Sequence, residues 1–223
     1  MEIINRKLSL QEFEDYVASY DFGTLPANKL VIHHTWRPTK EQWQGQKSIN
    51  GLKAYYEGKG WPAGPHLFVA EDGIWLFSPM RKDGIHAGTL NPRSVGIEVV
   101  GDYDTAKWEG ETKYNALGAI KVLTEVLHLA EKDIFFHRDA SPKSCPGWAI
   151  TKEWLFAELL AFHKRPKIPA YPRTSDELLI PSWAVEAVAF VRQNNLFEIS
   201  NGEDVRDAVK FFRLYQLIQK NHG

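Results

Sequence analysis

The sequence has a single cysteine, Cys145, among 223 residues. A disulfide framework within the chain is therefore excluded. The thiol is left as a buried apolar group, a nucleophile or a metal ligand. Neither sign of charge is in excess: 27 Lys and Arg stand against 28 Asp and Glu, for a formal net charge of -1. That balance excludes the basic footprint of a dedicated nucleic-acid binder. It also excludes an acidic tail or a polybasic membrane anchor. No apolar run approaches the roughly 20 residues that span a bilayer. The opening stretch MEIINRKLSLQEFEDYV lacks the apolar core of a secretory signal. The expectation is a cytoplasmic protein without membrane insertion, unless something else releases it. Internal repeats and low-complexity tracts are also missing.

What is present is ordinary for a globular chain: 43% hydrophobic and 25% charged residues. Aromatics are abundant, with 8 Trp, 8 Tyr and 12 Phe. They can fill a core or line a groove for sugars. At roughly 150 residues per domain, this length makes one large domain or one domain with an appendage.

Ser9 followed by Glu12 reads as a capping box opening a helix that turns Phe13 and Val17 inward. Lys29–Thr35 is a short β-rich run, and Ser48 caps a helix to about Glu57. HLFVA and IWLFS flank Asp72-Gly73, a strong hairpin signal. Ser94–Gly101 reads as a strand. Leu117, Ile120, Leu123 and Leu127 recur at helical spacing between Thr112 and Ala130. Asp133–Phe136 is a further strand, and Thr151 opens a helix to about His163. The mixture predicts an α/β fold, a mixed central β-sheet flanked by helices. Arg165–Glu177, with Pro166, Pro169 and Pro172, reads as a stiff linker. The expected organisation is a domain over 1–164, a linker over 165–177 and a small C-terminal helical appendage over 178–223.

The chemistry-bearing stretch is His137-Arg-Asp-Ala-Ser-Pro-Lys-Ser-Cys145-Pro-Gly. A histidine at a strand end and a cysteine in the following loop can turn toward one point. Imidazole with thiolate suits zinc. The strand ending in His33-His34 is the best source of a third ligand. Three protein ligands leave one position open, the arrangement of catalytic zinc. The residues alone leave another reading open, a buried apolar Cys145 with His137 closing a strand. His137-Arg138-Asp139 and Asp21-Phe22-Gly23 match kinase tripeptides, but in the wrong order and with no Gly-rich phosphate loop before them.

VIHHT, HLFVAEDGIWLF, HAGTLNPRSVGIEVVG and HRDASPKSCPG follow one another in that order. Together they resemble the zinc-dependent N-acetylmuramoyl-L-alanine amidases of the amidase-2 and peptidoglycan-recognition-protein superfamily. The resemblance spans about Lys29 to Trp154. It implies a Zn2+ cofactor on His33, His137 and Cys145, with His34 as the variable neighbour. Lys143, two residues before the cysteine, matches the lysine that faces the substrate carbonyl. Glu98, amid Val95, Ile97, Val99 and Val100, matches the general base of one subgroup; a carboxylate on a buried strand face needs a partner or a job. In another subgroup a tyrosine at the start of the hairpin contributes instead, and here that position reads Pro65. The resemblance therefore places the catalytic load on Glu98 and Lys143. His86 matches a histidine near the site and is assigned to substrate binding, whereas His66 reads as a structural histidine.

The implied reaction is cleavage of the amide between N-acetylmuramic acid and L-alanine, with bacterial peptidoglycan as partner. Two enzymatic roles compete. One is a phage endolysin that reaches the cell wall after holin-type release; the other is a cytosolic recycling amidase acting on soluble anhydro-muropeptides. A non-catalytic peptidoglycan receptor and a structural zinc protein are the other readings. The C-terminal extension favours the endolysin, because endolysins commonly append wall-targeting modules. Its segment IPSWAVEAVAFVRQNNLF weakly resembles one surface-layer-homology helix.

Overall fold

The computed structural model describes residues 1, 3–164, 184–194, 196 and 204–212. Contacts divide the chain into two compact units, Met1–Arg165 and Pro166–Gly223. The expected linker over 165–177 lies outside the described residues.

In the first unit a six-stranded sheet runs β1 (Arg6–Leu8), β4 (Gly73–Leu76), β3 (Leu67–Ala70), β5 (Ser94–Val99), β2 (Lys29–His34), β6 (Ile134–Phe136) in spatial order. Strands β3, β5, β2 and β6 are mutually parallel, and β4 and β1 join antiparallel at the other edge. The expected mixed α/β sheet is therefore present. The Asp72-Gly73 signal makes the β3–β4 hairpin, where Gly73 takes a φ of 139°. Strand β1 has no counterpart in the sequence reading. It contributes three residues at an edge, of which only Leu8 is buried.

Alternation along the strands separates two faces. Leu30, Ile32, Leu67, Val69, Val95, Ile97 and Val99 enter one large apolar core. Helices α1 (Leu10–Ala18) and α3 (Gly110–Val126) cover that face and pack on each other, and α4 (Lys152–Ala161) packs on α3. The Ser9–Glu12 capping box closes the start of α1: the Glu12 N–H donates to Ser9 Oγ, and the Ser9 N–H donates to Glu12 Oε2 at 2.8 Å. Phe13, wholly buried beyond it, contributes about 1.5–3 kcal/mol of burial free energy.

The opposite face is only half covered. Ile49 and Tyr56 of helix α2 (Gln46–Gly58) pack with Phe68, Trp75 and Phe77 over the β3–β4 hairpin. Helix α2 starts two residues before Ser48, because Ser48 Oγ accepts the Gln44 N–H instead of capping the helix. The uncovered remainder of this face, at the carboxyl ends of β5, β2 and β6, is where the polar residues gather.

The second unit has its own small core. Ala184, Val188, Val191, Val205 and Ala208 are buried together between helix α5 (Val185–Gln193) and the helical residues 204–212. No helix among the described residues is long and apolar enough to cross a membrane.

Candidate metal centre

Sheet register assembles the site. Phe68 pairs with Glu98 across β3–β5, and Glu98 pairs with His33 across β5–β2. Ile32 pairs with Phe136 across β2–β6, so His137 follows at the next position beside His33. One row of the half-covered face therefore reads Phe68, Glu98, His33, with His137 at its end. Cys145 returns to this row from the loop after β6. Arg138 pins that loop: its guanidinium donates to the carbonyls of Ser144, Gly147 and Ile150 at 3.2, 2.8 and 2.6 Å. The Arg138 N–H donates to the Cys145 carbonyl at 2.9 Å. Gly147 has a φ of 107°, and a Cβ there would run into the Tyr103 carbonyl. Only glycine suits that approach.

His33 Nδ1 lies 3.1 Å from His137 Nδ1 and 3.6 Å from Cys145 Sγ. The three donor atoms all lie within 4.8 Å of one another. Glu98 Oε1 stands 3.8 Å from His33 Nδ1, beyond hydrogen-bond range. The Glu98 side chain is 12% exposed, a small window onto the groove.

The electrostatics follow from burial. His33 is pulled well below the ordinary imidazole range, first by desolvation and then by the neighbouring His86 and His137 rings. Burial and then Lys143 lower His137 in the same sense. Both imidazoles are thus neutral and offer lone pairs. Burial, and then Glu98, push the Cys145 thiol far up. That is the opposite of a reactive nucleophilic cysteine. A bound dication would reverse it, since a coordinating thiol is deprotonated outright. Burial pushes Glu98 up to about 8, against the downward pull of Lys143.

The sequence assigned His33 and not His34 to this cluster, and the strand alternation separates them as expected. His34 turns to the other face, where its Nδ1 accepts the Tyr103 N–H at 3.2 Å. His66 is structural: its Nδ1 accepts the Gly96 N–H and its Nε2 donates to the Lys82 carbonyl, both at 2.9 Å. Asp139 of the kinase-like tripeptide accepts the Phe136 N–H and pairs with Lys152 at 2.8 Å, a loop role. His86 borders the groove, but both its ring nitrogens are engaged by the protein.

The groove above this floor has a volume of about 960 Å³. Helix α2 supplies one wall with Leu52, Tyr55 and Tyr56, the 35–38 segment a second, and Lys143 and Ser144 a third. Trp36 and Tyr55 are 56% and 57% exposed, large aromatic faces turned to solvent beside a polar floor. Tyr56 is a lining residue that sequence reasoning missed. Its ring stacks on Trp61 at 5.8 Å and 19°. Burial, and then the nearby Glu98, raise its hydroxyl above the ordinary phenol range. The Tyr55-Tyr56 pair in a helix was visible in the sequence, but which strand the helix would face was not.

The family described as N-acetylmuramoyl-L-alanine amidase (Amidase_2) matches residues 23–148, more than half of the chain. The chain is 27% identical over 131 residues to peptidoglycan-recognition protein SC1a/b of Drosophila simulans, covering 55% of this chain and 69% of that protein. It is 26% identical over 119 residues to the endolysin of Klebsiella phage KP32, covering 50% and 78%. The solved N-acetylmuramoyl-L-alanine amidase LysC from Clostridium intestinale URNW superposes with a TM-score of 0.53 at 22% identity, over 63% of this chain and 89% of that one. This last likeness is one of fold. With the family match spanning β2 through the Cys145 loop, the chain belongs to the N-acetylmuramoyl-L-alanine amidase family.

Proposed function

We propose that the chain is a zinc-dependent hydrolase of the amide between N-acetylmuramic acid and the L-alanine of the stem peptide, acting as a phage-type endolysin. The observation that carries this reading is two imidazoles and a thiol converging beside a buried carboxylate on the floor of an open groove.

The donor set fits Zn2+. Zinc bonds of about 2.0–2.1 Å to nitrogen and 2.3 Å to sulfur, at tetrahedral angles, put nitrogen donors about 3.4 Å apart and nitrogen and sulfur about 3.6 Å apart. The separations here are 3.1 and 3.6 Å. His33, His137 and Cys145 would hold the ion. When bound, it would supply acidification of a water and polarisation of the scissile carbonyl.

The chain's own groups supply the rest. Glu98 accepts the proton that the attacking water gives up. It then returns the proton to the departing amine of L-alanine. A carboxyl held near neutrality by burial, and drawn down by the positive charge of Lys143, is suited to both transfers. Lys143, on the groove wall, brings an ammonium to the carbonyl oxygen as negative charge builds there. Trp36, Tyr55 and Trp61 offer aromatic faces to the sugar rings. The unit beyond residue 164 is read as a wall-targeting appendage, and access to the wall as following holin-type release.

Cell-wall turbidity, end-group chemistry and metal analysis test this together. The expected result is about one zinc per chain and new L-alanine amino termini without new reducing sugar ends. Lysis stops on chelation and returns with zinc. The PGRP-like relatives give the second reading its weight: zinc at one per chain with no cleavage of intact walls or soluble anhydro-muropeptides means a binding receptor. Cleavage of the soluble substrate alone means a recycling enzyme.

A further inference from the structure

His33 makes use of both ring nitrogens. Nδ1 faces His137 and Cys145, and Nε2 lies 3.0 Å from His86 Nδ1. The contact continues outward. His86 Nε2 lies 3.2 Å from Ser94 Oγ, and the Ser94 hydroxyl donates to the Asn91 carbonyl at 2.9 Å.

The direction of this chain is fixed from its far end. The Ser94 hydroxyl makes the shorter contact with the Asn91 carbonyl, 2.9 Å against 3.2 Å to His86 Nε2, and a carbonyl only accepts, so its single proton is assigned to Asn91. Ser94 Oγ must then accept from His86, which places the His86 proton on Nε2. His86 Nδ1 is left as an acceptor, and His33 Nε2 must carry the proton that points at it. His33 Nδ1 is left with its lone pair, facing the metal donors. The reverse direction would require the Ser94 hydroxyl to give up the Asn91 carbonyl and donate to His86 Nε2 instead.

The protein builds the relay into its sheet. Gly96 lies under the His86 ring, and a Cβ there would sit 2.7 Å from the ring atoms Cγ and Nδ1. Glycine is required for the ring to lie against β5. Asn91 Oδ1 accepts the backbone N–H of His86 at 3.0 Å and of Ala87 at 2.6 Å, which fixes the loop that carries the ring. His66 abuts the ring from the other side, with centroids 5.6 Å apart and planes at 76°.

We propose that Asn91, Ser94 and His86 form a tautomer lock that presets His33 to offer Nδ1 to the metal. This rests on the zinc reading of His33, His137 and Cys145. His86 is a positioning residue: it acts through His33 and leaves the substrate untouched. Outer partners of metal-bound histidines fix tautomer and ring orientation, and their loss typically costs about 10–100-fold in metal affinity.

Two measurements on the full chain test it. The first is ring nitrogen NMR of the metal-free protein, which needs no zinc. The expected result is His33 protonated on Nε2. Protonation on Nδ1 overturns the lock, whether or not the protein proves to bind zinc. The second is zinc affinity by chelator competition. His86→Leu and Ser94→Ala should each bind zinc more weakly, by about 10–100-fold for the former and up to about 10-fold for the latter. His86→Asn, whose amide oxygen replaces the Nδ1 acceptor, and Ser94→Thr, which keeps the hydroxyl, should recover most of the loss. Circular dichroism of the metal-free variants reports folding, and Ser94→Ala serves should His86→Leu fail to fold. Affinity within twofold of the starting protein in folded Ser94→Ala and His86→Leu overturns the proposal. So does a loss in His86→Asn as deep as in His86→Leu.

Discussion

His33 and His34 are neighbours in sequence, and among the described residues each belongs to a group of three possible metal donors. His33 stands with His137 and Cys145, and His34 with Asp102 and Asp104. The first group is two buried donors and a half-buried one on the floor of a groove. The second is one buried histidine with an exposed and a half-buried aspartate. Each of its residues already spends one acceptor atom on the backbone. His34 Nδ1 accepts the Tyr103 N–H, Asp102 Oδ1 the Asp104 N–H, and Asp104 Oδ1 the Trp148 N–H. Proximity of ligand-type residues is common to both groups. What separates them is desolvation, donor softness, and whether the lone pairs are already committed to holding a loop.

The sharpest test removes a donor from each group. His137→Ala and Cys145→Ser should abolish stoichiometric zinc and reduce lysis by more than about 100-fold, because an open three-ligand site tolerates no loss. His34→Asn keeps an oxygen for the Tyr103 N–H and should retain about one zinc per chain. Atomic absorption on the purified variants decides; loss of zinc from His34→Asn alone would reverse the assignment of the two histidines.

Glu98→Gln comes next. The amide keeps the volume of the carboxyl and removes its proton transfer. Zinc should remain near one per chain while turnover falls by about 10²–10⁴-fold, the usual worth of a positioned acid or base. Turnover within tenfold of the starting protein would assign proton transfer elsewhere, with Tyr56, whose hydroxyl Glu98 influences, the next groove residue to test.

Glu98 and His34 should also affect stability in opposite senses in the metal-free protein. Burial raises Glu98 from 4.5 to about 8, so the folded state prefers its neutral form. Stability from this group is complete below about 4.5 and lost as pH rises through about 8. The melting temperature of Glu98→Gln should therefore gain on that of the starting protein between pH 4.5 and 8. Burial lowers His34, with Asp104 and Asp102 opposing. Its contribution is present above the ordinary histidine value and lost as pH falls below it, because the unfolded chain takes a proton that the folded one refuses. His34→Asn should flatten that acid-side loss. Parallel slopes for both variants would contradict the assigned signs.

Local signals made most of the sheet legible. The capping box, the Asp-Gly hairpin and the apolar runs of β2 and β5 each carry their own instruction in neighbouring residues. The β1 strand, Arg6-Lys7-Leu8, carries none: its pairing with Ile74–Leu76 is a tertiary choice. The same division runs through the site. His33, His137 and Cys145 were readable because each sits in a distinctive motif. The position of Glu98 beside His33 depends on the β2–β5 register, which no local pattern states. The contacts of His86 were hidden for a similar reason. Its sequence neighbours say nothing of Gly96 beneath it, and a histidine near a site is first taken to face the ligand. Tyr56 needed the packing of α2 over the hairpin.

The smallest effect should come from Asp102→Asn and Asp104→Asn. Each carboxylate accepts one backbone N–H, at 3.1 and 3.3 Å, and an asparagine oxygen can accept the same bond. A hydrogen bond of this kind contributes about 0.5–1.5 kcal/mol, and the substitution should forfeit only part of it. Zinc content should stay at about one per chain and lysis within twofold. A drop in zinc content in either variant, or a second bound ion in the starting protein lost in both, would make the second group a ligand site and erase the distinction drawn between the faces. Unchanged metal with a melting temperature lower by a few degrees would assign the two aspartates to holding the turn, which brings Tyr103 against Gly147 and so keeps the Cys145 loop in place.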